Sequence, residues 1–210
     1  MEVKNYLQVY EHDVVDLWNR CCTFDPIDVG KFRRQALFDD NFNNDLAWVA
    51  VDGDRVVGFA YGTHRKFPYL ERGLEPERGW VNVLFVDPDY RRRGIGTEML
   101  ERIESGLREL GARNITLGAY SPSYFFAGLD PEHYSEAIAF FEHHGYVGTD
   151  THYSMGKNLH GFTVPVETRD RQRALEERGY AFKPFDYSYS LELLDFLYRE
   201  LGAGWKRNAL

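Results

Sequence analysis

A chain of 210 residues, 43% of them hydrophobic, is long enough to bury one full core with some chain left over. Its 25 Lys and Arg against 33 Asp and Glu give a formal charge of −8 and a pI near 5.4, which argues against nucleic acid as the main partner and suits cationic substrates such as amines. No apolar run approaches the roughly twenty residues of a membrane helix, and the start Met-Glu-Val-Lys-Asn lacks a signal-peptide core, so a cytoplasmic protein with no membrane partner is expected.

Residues 4–10 have the composition of a first strand. Asp13 stands where a helix cap is expected, with Val14, Leu17, Trp18 and Cys21 on one face behind it. Cys21 and Cys22 are the only cysteines; adjacent on that helix, they staple nothing together, lack zinc spacing, and read as small packing residues. Residues 28–38 suggest a second short helix. The strand-like runs Leu46 to Val51 and Arg55 to Gly62 flank Asp52-Gly53-Asp54, which predicts a hairpin. Residues 63–79 then form a long polar connection that contains Pro68 and Pro76 and carries Glu71, Glu75 and Glu77. A connection of that length is either functional or mobile.

Val81 to Val86 has strand composition and runs into Asp87-Pro88-Asp89-Tyr90, then Arg91, Arg92 and Arg93, then Gly94-Ile95-Gly96-Thr97. Met99, Leu100, Ile103, Leu107 and Leu110 follow at steps of three and four, which gives a helix with one apolar stripe that Gly111 stops. The order is strand, anion loop, helix. The first N–H groups of a helix lack partners inside it and sit at the positive end of its dipole, and two glycines let a phosphate approach bare backbone. A P-loop needs Gly-Lys-Ser/Thr, which is absent, and a dinucleotide fingerprint needs a third glycine where Met99 stands.

Asn114 to Tyr120 is a fifth strand, expected to lie parallel to 81–86 because a helix intervenes. The passage Phe126 to Pro131 is rich in turn formers. Ala137, Ile138, Phe140 and Phe141 recur at helical spacing up to Gly145, and 147–158 reads as a closing strand. Past residue 160 the chain changes, with a charged helix from Arg169 to Arg178 and an apolar one over 191–201.

Arg91-x-x-Gly94-x-Gly96 after a strand resembles the pyrophosphate-binding loop of the GCN5-related N-acetyltransferase (GNAT) family. Ala137-Ile138-x-x-Phe141-x-x-x-Gly145-Tyr146 is similar to its second signature, with Phe141 where a tyrosine is usual. The resemblance spans residues 1 to about 160 and implies an α/β fold of the acyl-CoA N-acyltransferase type. That fold has a central mixed, mostly antiparallel twisted sheet flanked by helices and splayed between the fourth and fifth strands. Residues 161–210 would be a C-terminal helical extension, packing on the domain or on a dimer mate, or the start of a second GNAT-like unit.

The same resemblance implies acetyl-CoA as cofactor and an amine acceptor, on a small molecule, an amino acid or a peptide. Leu84, Phe85 and Val86 would hold the pantetheine arm through their backbone, and Arg91, Arg92, Arg93, Gly94, Ile95, Gly96 and Thr97 would take the pyrophosphate. The family's frequent strand glutamate is missing; the fourth strand offers Trp80 and Asn82, and Asn82 either bonds its neighbours or contacts substrate. His64 and the glutamates of the 63–79 connection are further candidates for the base, and Tyr134 is the candidate to replace the tyrosine lost at Phe141. These departures leave a second reading, a GNAT-fold coenzyme A-binding or sensor module without catalysis.

Overall fold

The computed structural model describes every residue except Tyr124, Ala127, His152, Ser154, Met155 and Leu210, and gives Glu71 and Asn208 by their backbone alone. The chain divides into two compact units, Met1–Thr151 and His152–Leu210.

In the first unit a five-stranded sheet follows chain order, β1 (Glu2–Asn5), β2 (Ala47–Asp52), β3 (Arg55–Thr63), β4 (Arg78–Val86) and β5 (Asn114–Leu117). The first three pairings are antiparallel and the last is parallel, as the helix between β4 and β5 requires. Helices α1 (Glu11–Cys21) and α2 (Val29–Phe32) cover one face. The α2 segment runs on through a wider turn to Leu37, in which the Phe38 amide reaches the Arg33 carbonyl at 2.8 Å. The other face carries α3 (Ile95–Glu109), with α4 (Ser135–His143) adding Phe141.

Strand alternation fills both layers. Val49, Val56, Phe59 and Tyr61 point toward Val14, Leu17 and Trp18 of α1, while Ala50, Val57 and Ala60 meet Met99, Leu100, Ile103 and Leu107 of α3. Burial of each large apolar side chain contributes about 1.5–3 kcal/mol, so these two layers supply most of the drive to fold. The buried carboxylate of Glu11 anchors Arg33 of the α2 segment, and the guanidinium holds that carboxyl below the usual range. This pair fixes where the chain leaves the second helix.

Several elements end earlier or start elsewhere than their sequence suggests. The strand expected over 4–10 is Glu2–Asn5; beyond it Leu7 and Val9 face solvent and a 3-10 turn closes with the Tyr10 amide on the Leu7 carbonyl. Tyr10 occupies the cap position of α1, and Asp13 lies inside the first turn, where its charge meets the positive helix end. Leu110 is 47% exposed because α3 has stopped before it. The described residues of 147–158 form no strand, and Val147 and Tyr153 lie exposed; His152, Ser154 and Met155 fall outside the described residues.

The feature that matters for a site is where β5 leaves β4. Pairing runs from Arg78 opposite Asn114 to Val81 opposite Leu117, and its last bond is the Gly118 amide to the Val81 carbonyl at 2.8 Å. Gly118 and Ala119 then enter the left-handed region, at φ 64° and 53°, and the Ala119 amide turns away to the Phe126 carbonyl at 2.9 Å. A Cβ on Gly118 would stand 3.0 Å from that same carbonyl oxygen, so glycine is required for space as well as for φ. From Asn82 to Val86, β4 has no β5 partner.

The second unit holds α5 (Val166–Glu176), α6 (Ser190–Phe196), which continues through a wider turn to Leu201, and α7 (Ala203–Ala209). Among the described residues no helix is long and apolar enough to cross a membrane.

Gly62 lies at the bulge where β3 and β4 slip register, and a Cβ there would meet Ile103 at 2.7 Å and the Trp80 carbonyl at 2.8 Å. Gly62→Ala is expected to destabilise the first unit by about 1–3 kcal/mol, since backbone must move. Gly148→Ala, which meets nothing within 4 Å, is expected to be neutral. Urea unfolding of the two variants beside the parent measures both.

Candidate functional site

The loop after β4 is built on one carboxylate. Asp87 is 2% exposed. Its amide donates to the Val57 carbonyl at 2.9 Å, and its Oδ1 accepts the Asp89 amide at 3.1 Å. Its Oδ2 takes Arg20 of α1 at 3.2 Å and Arg55 of β3 at 2.7 Å. A buried carboxylate needs such partners, and these two segments, α1 and β3, are thereby locked to the loop.

Beyond it Arg92 at φ 60° and Gly94 at φ 82° alternate with ordinary residues, a backbone pattern that turns successive amides toward one side. The first α3 amide to find an acceptor is that of Glu98, on the Gly94 carbonyl at 2.9 Å. The amides from Arg92 to Thr97 have none among the described residues. A Cβ on Gly94 would touch nothing within 4 Å, so the space in front of these amides is open. Free donors gathered at a helix start can receive an anion.

The three arginine side chains behave differently. Arg91 donates through Nε to the Val86 carbonyl at 3.2 Å and pairs with Glu136 of α4 at 3.0 Å. Arg93 donates to the Asp89 carbonyl at 2.8 Å and lies over the Tyr90 ring. Arg92 has no partner among the described residues and stays in solvent.

The bare edge of β4 leads into this loop. Phe85 pairs with Phe59 and the Asp87 amide bonds Val57, so alternation turns the backbone groups of Leu84 and Val86 to the side β5 has vacated. The Val86 carbonyl is taken by Arg91 and by the Cys21 thiol at 3.5 Å. The amides of Leu84 and Val86 and the Leu84 carbonyl remain for a ligand. Phe85 and Ile95 have their side chains in the two cores. Gly96 stands between Leu84 and the Phe140 ring, where a Cβ would lie 3.8 and 3.4 Å from them. His144 donates through Nδ1 to the Phe140 carbonyl at 2.8 Å, which leaves its Nε2 to accept the Thr97 hydroxyl at 3.2 Å.

Asn82 and Tyr134 share no partner. Asn82 is 3% exposed, donates its amide to the Thr63 hydroxyl at 2.6 Å, and leaves its Oδ1 without a partner. Tyr134 caps α4 and donates its hydroxyl to Asp25 at 2.8 Å; burial first, then Asp25, raises its pKa. Phe141 is buried against Tyr146. His64 bonds the Pro76 carbonyl at 2.9 Å. Glu75 holds Arg65 and Arg78, and Glu77 pairs with Arg113.

A cluster that sequence reasoning missed lies on the α1–α2 face at the divergence. Tyr120, just past β5, donates its hydroxyl to Oδ1 of Asp39 at 3.0 Å and accepts from Asn41 at 2.8 Å. Asn41 in turn accepts the Lys66 and Phe67 amides at 2.7 and 2.8 Å. The Arg65 side chain, 1% exposed, pairs with Glu75, donates to the Ser121 carbonyl at 2.8 Å and is enclosed by the rings of Tyr69, Trp80 and Tyr120. The connection between β3 and β4 is therefore pinned to the end of β5. The partners stand 79 and 81 residues apart, and no local pattern announces such a pairing.

Residues 11–146 match the acetyltransferase (GNAT) family. An acetyltransferase of Sodalis glossinidius is 31% identical over 115 residues, covering 53% of this chain and 72% of its own. One of Pectobacterium atrosepticum is 29% identical over 117 residues, covering 56% and 74%. Among solved structures, the GCN5-related glucosamine N-acetyltransferase region of a fungal multi-domain β-N-acetylglucosaminidase superposes with a TM-score of 0.71 at 24% identity. It covers 99% of this chain but 24% of that protein, so the chain spans about a quarter of its length. An aminoglycoside N-acetyltransferase in complex with coenzyme A gives a TM-score of 0.52 at 14% identity, covering 74% of this chain and 93% of that one. These two likenesses speak for the fold alone. With the open amides at the start of α3, the diverging strands and the match over 11–146 in agreement, the chain belongs to the GNAT acetyltransferase family.

Proposed function

We propose that the protein transfers an acetyl group from acetyl-CoA to a primary amine of a small molecule, an amino acid or a peptide. The observation that carries this is the continuous path from the unpaired Leu84 to Val86 edge into the open amides of Arg92 to Thr97. An amide-bearing arm that ends in a diphosphate fits such a path, as an added strand at one end and an anion at the other. When bound, acetyl-CoA supplies a thioester carbonyl open to attack by an amine.

The chain's own groups have distinct tasks in this reading. The amides from Arg92 to Thr97, at the positive end of α3, hold the diphosphate, and Arg92 adds a full charge in solvent. The backbone of Leu84 and Val86 holds the arm in register. An amide donor on that edge stabilises negative charge developing on a carbonyl oxygen. Asn82, at the start of the unpaired stretch, is buried with its amide on the Thr63 hydroxyl and its Oδ1 unpartnered. With Tyr134 bonded to Asp25 and Phe141 buried, solvent would take the proton the amine gives up as the C–N bond forms and the C–S bond breaks, and would protonate the departing thiolate, a fair leaving group.

Neither cysteine acts as a nucleophile. Burial pushes the Cys21 thiol up to about 11 and the Cys22 thiol up to about 12, with the neighbouring Cys21 adding to the latter. At pH 8 the thiolate fraction of Cys21 is then about one in a thousand, against roughly a quarter for a free thiol. Iodoacetamide at pH 8 is expected to label the native protein at least about a hundredfold more slowly than the unfolded chain, and Cys21→Ala is expected to keep transfer activity. Fast labelling of the native protein argues the opposite.

The reading is tested by thiol release from acetyl-CoA with a panel of glucosamine, spermidine, lysine amide and an alanyl peptide. Turnover on at least one is expected; tight coenzyme A binding with none turned over supports the binding-module reading instead. Gly94→Asp sets a carboxylate before the amides and is expected to weaken coenzyme A by about tenfold or more in calorimetry. Gly94→Asn carries the same backbone strain without the charge and is expected to lose less. Equal losses in the two variants contradict an anion site here.

A further inference from the structure

The open edge of β4 depends on where the chain goes after β5, and a buried arginine holds that chain. Arg65 lies just past the end of β3, with its side chain 1% exposed. Its Nε pairs with Glu75 at 3.1 Å, and its Nη2 donates to the Ser121 carbonyl at 2.8 Å. The guanidinium carbon stands 4.8 Å from the centre of the Trp80 ring, 4.9 Å from that of Tyr69 and 5.0 Å from that of Tyr120. Glu75 also holds Arg78, the first residue of β4. The guanidinium therefore sits at the end of the sheet where β4 begins.

Register shows what this contact excludes. Leu117 lies opposite Val81, so a β5 that stayed in register would bring Tyr120 opposite Leu84 and Ser121 opposite Phe85. At about 3.3 Å per residue, Phe85 is roughly 16 Å along β4 from Trp80. Side chains stand roughly perpendicular to a sheet, so the indole marks the level of Trp80 itself. The Ser121 carbonyl is one hydrogen bond away from a guanidinium that rests on that indole. The same chain cannot bond Arg65 and also cover the edge at Leu84 and Val86. Tyr120 is drawn back in the same direction, since its hydroxyl is tied to Asn41, which accepts the amides of Lys66 and Phe67 beside Arg65.

The charge makes this tie hard to give up. Nη1 of Arg65 is buried without a partner already. Were Ser121 to leave, Glu75 would be the last acceptor for the guanidinium among the described residues. A buried cation short of acceptors is costly, whereas a longer sheet gains only neutral hydrogen bonds, each weaker than a charged one. The planar fork meets Glu75 and Ser121 at once while lying among three rings, which an ammonium cannot do.

We propose that Arg65 is a positioning residue for the slot: it holds the chain leaving β5 back at the start of β4 and so keeps the Leu84 to Val86 edge open for the acyl-CoA arm. The identity of the arm rests on the acetyl-transfer reading. The open edge itself does not.

Amide hydrogen exchange in the unloaded protein, read residue by residue by NMR, tests this. Arg65→Met fills the space between the rings without the charge. It is expected to slow exchange at Leu84 and Val86 by about tenfold or more, as the freed chain pairs with β4, and to weaken coenzyme A by about tenfold or more in calorimetry. Slower exchange at this edge is not what a merely destabilised protein shows, because unfolding speeds exchange. For any amine that is turned over, the KM for acetyl-CoA is expected to rise by about tenfold while kcat changes much less. Arg65→Lys keeps a charged donor for Ser121 and is expected to fall between Arg65→Met and the parent in both measurements. Glu75→Gln weakens the hold on Arg65 and is expected to slow the same two amides by about threefold, which serves should Arg65→Met fail to fold. Exchange at Leu84 and Val86 that is unchanged or faster in folded Arg65→Met, or in Glu75→Gln where the former does not fold, overturns the proposal. So does coenzyme A affinity equal to that of the parent in Arg65→Met. Failure of the parent to bind coenzyme A overturns the acetyl-transfer reading instead, and the exchange rates of the unloaded proteins still decide the role of Arg65.

Discussion

Everything functional here follows from one constraint, the end of parallel pairing after Val81 and Leu117. A parallel pair normally continues while both strands stay extended. Here Gly118 and Ala119 take left-handed backbone and the Ala119 amide finds the Phe126 carbonyl in place of β4. The exit keeps the Ala119 amide satisfied. The deficit falls on β4, whose outward groups at Leu84 and Val86 are left for something else. A sheet that zipped further would be more stable and would have no slot.

The loop at the far end of that slot must stay fixed although its amides are unsatisfied. Asp87 does this from beneath, because a carboxylate at 2% exposure with arginines from α1 and β3 cannot move without uncovering a charge. The arginines are about half exposed and lose little by being held, so the burial cost rests mainly on one group. The backbone above is left-handed at Arg92, which costs a non-glycine residue, and keeps its conformation because its base is anchored. Free donors on a rigid support bind an anion without reorganising first.

Local chemistry was legible in the sequence where it depends on neighbours in the chain. The hairpin at Asp52 to Asp54, the stripe on α3 and the glycines of the loop each follow from spacing within a few residues. Burial decided the boundaries, and burial is not local: Leu7, Val9 and Leu110 look like core by type and lie in solvent because nothing packs over them. The roles of the three arginines were not readable either, since Arg91 turns to Glu136, which stands 45 residues on. The Asp39, Asn41, Arg65 and Tyr120 cluster was invisible for the same reason, each member being ordinary in its own stretch. Asn82 shows the limit from the other side. Its position was readable, but which of its amide groups is open depends on Thr63 across the bulge.

Arg91 raises the remaining question of access, because its Nε occupies the Val86 carbonyl on the very edge a ligand arm would use. It also pairs with Glu136, a residue whose side chain is 85% exposed, and pairs of that kind contribute about 0–1 kcal/mol. Release of Arg91 is therefore cheap, and a guanidinium set free beside the amides of Arg92 to Thr97 lies where an incoming diphosphate needs charge. The Val86 carbonyl keeps the Cys21 thiol as a weak donor when Arg91 leaves, so the edge is not left bare in the exchange. On the acetyl-transfer reading, the same side chain would cover an exposed strand edge before a ligand arrives and would turn to that ligand afterwards.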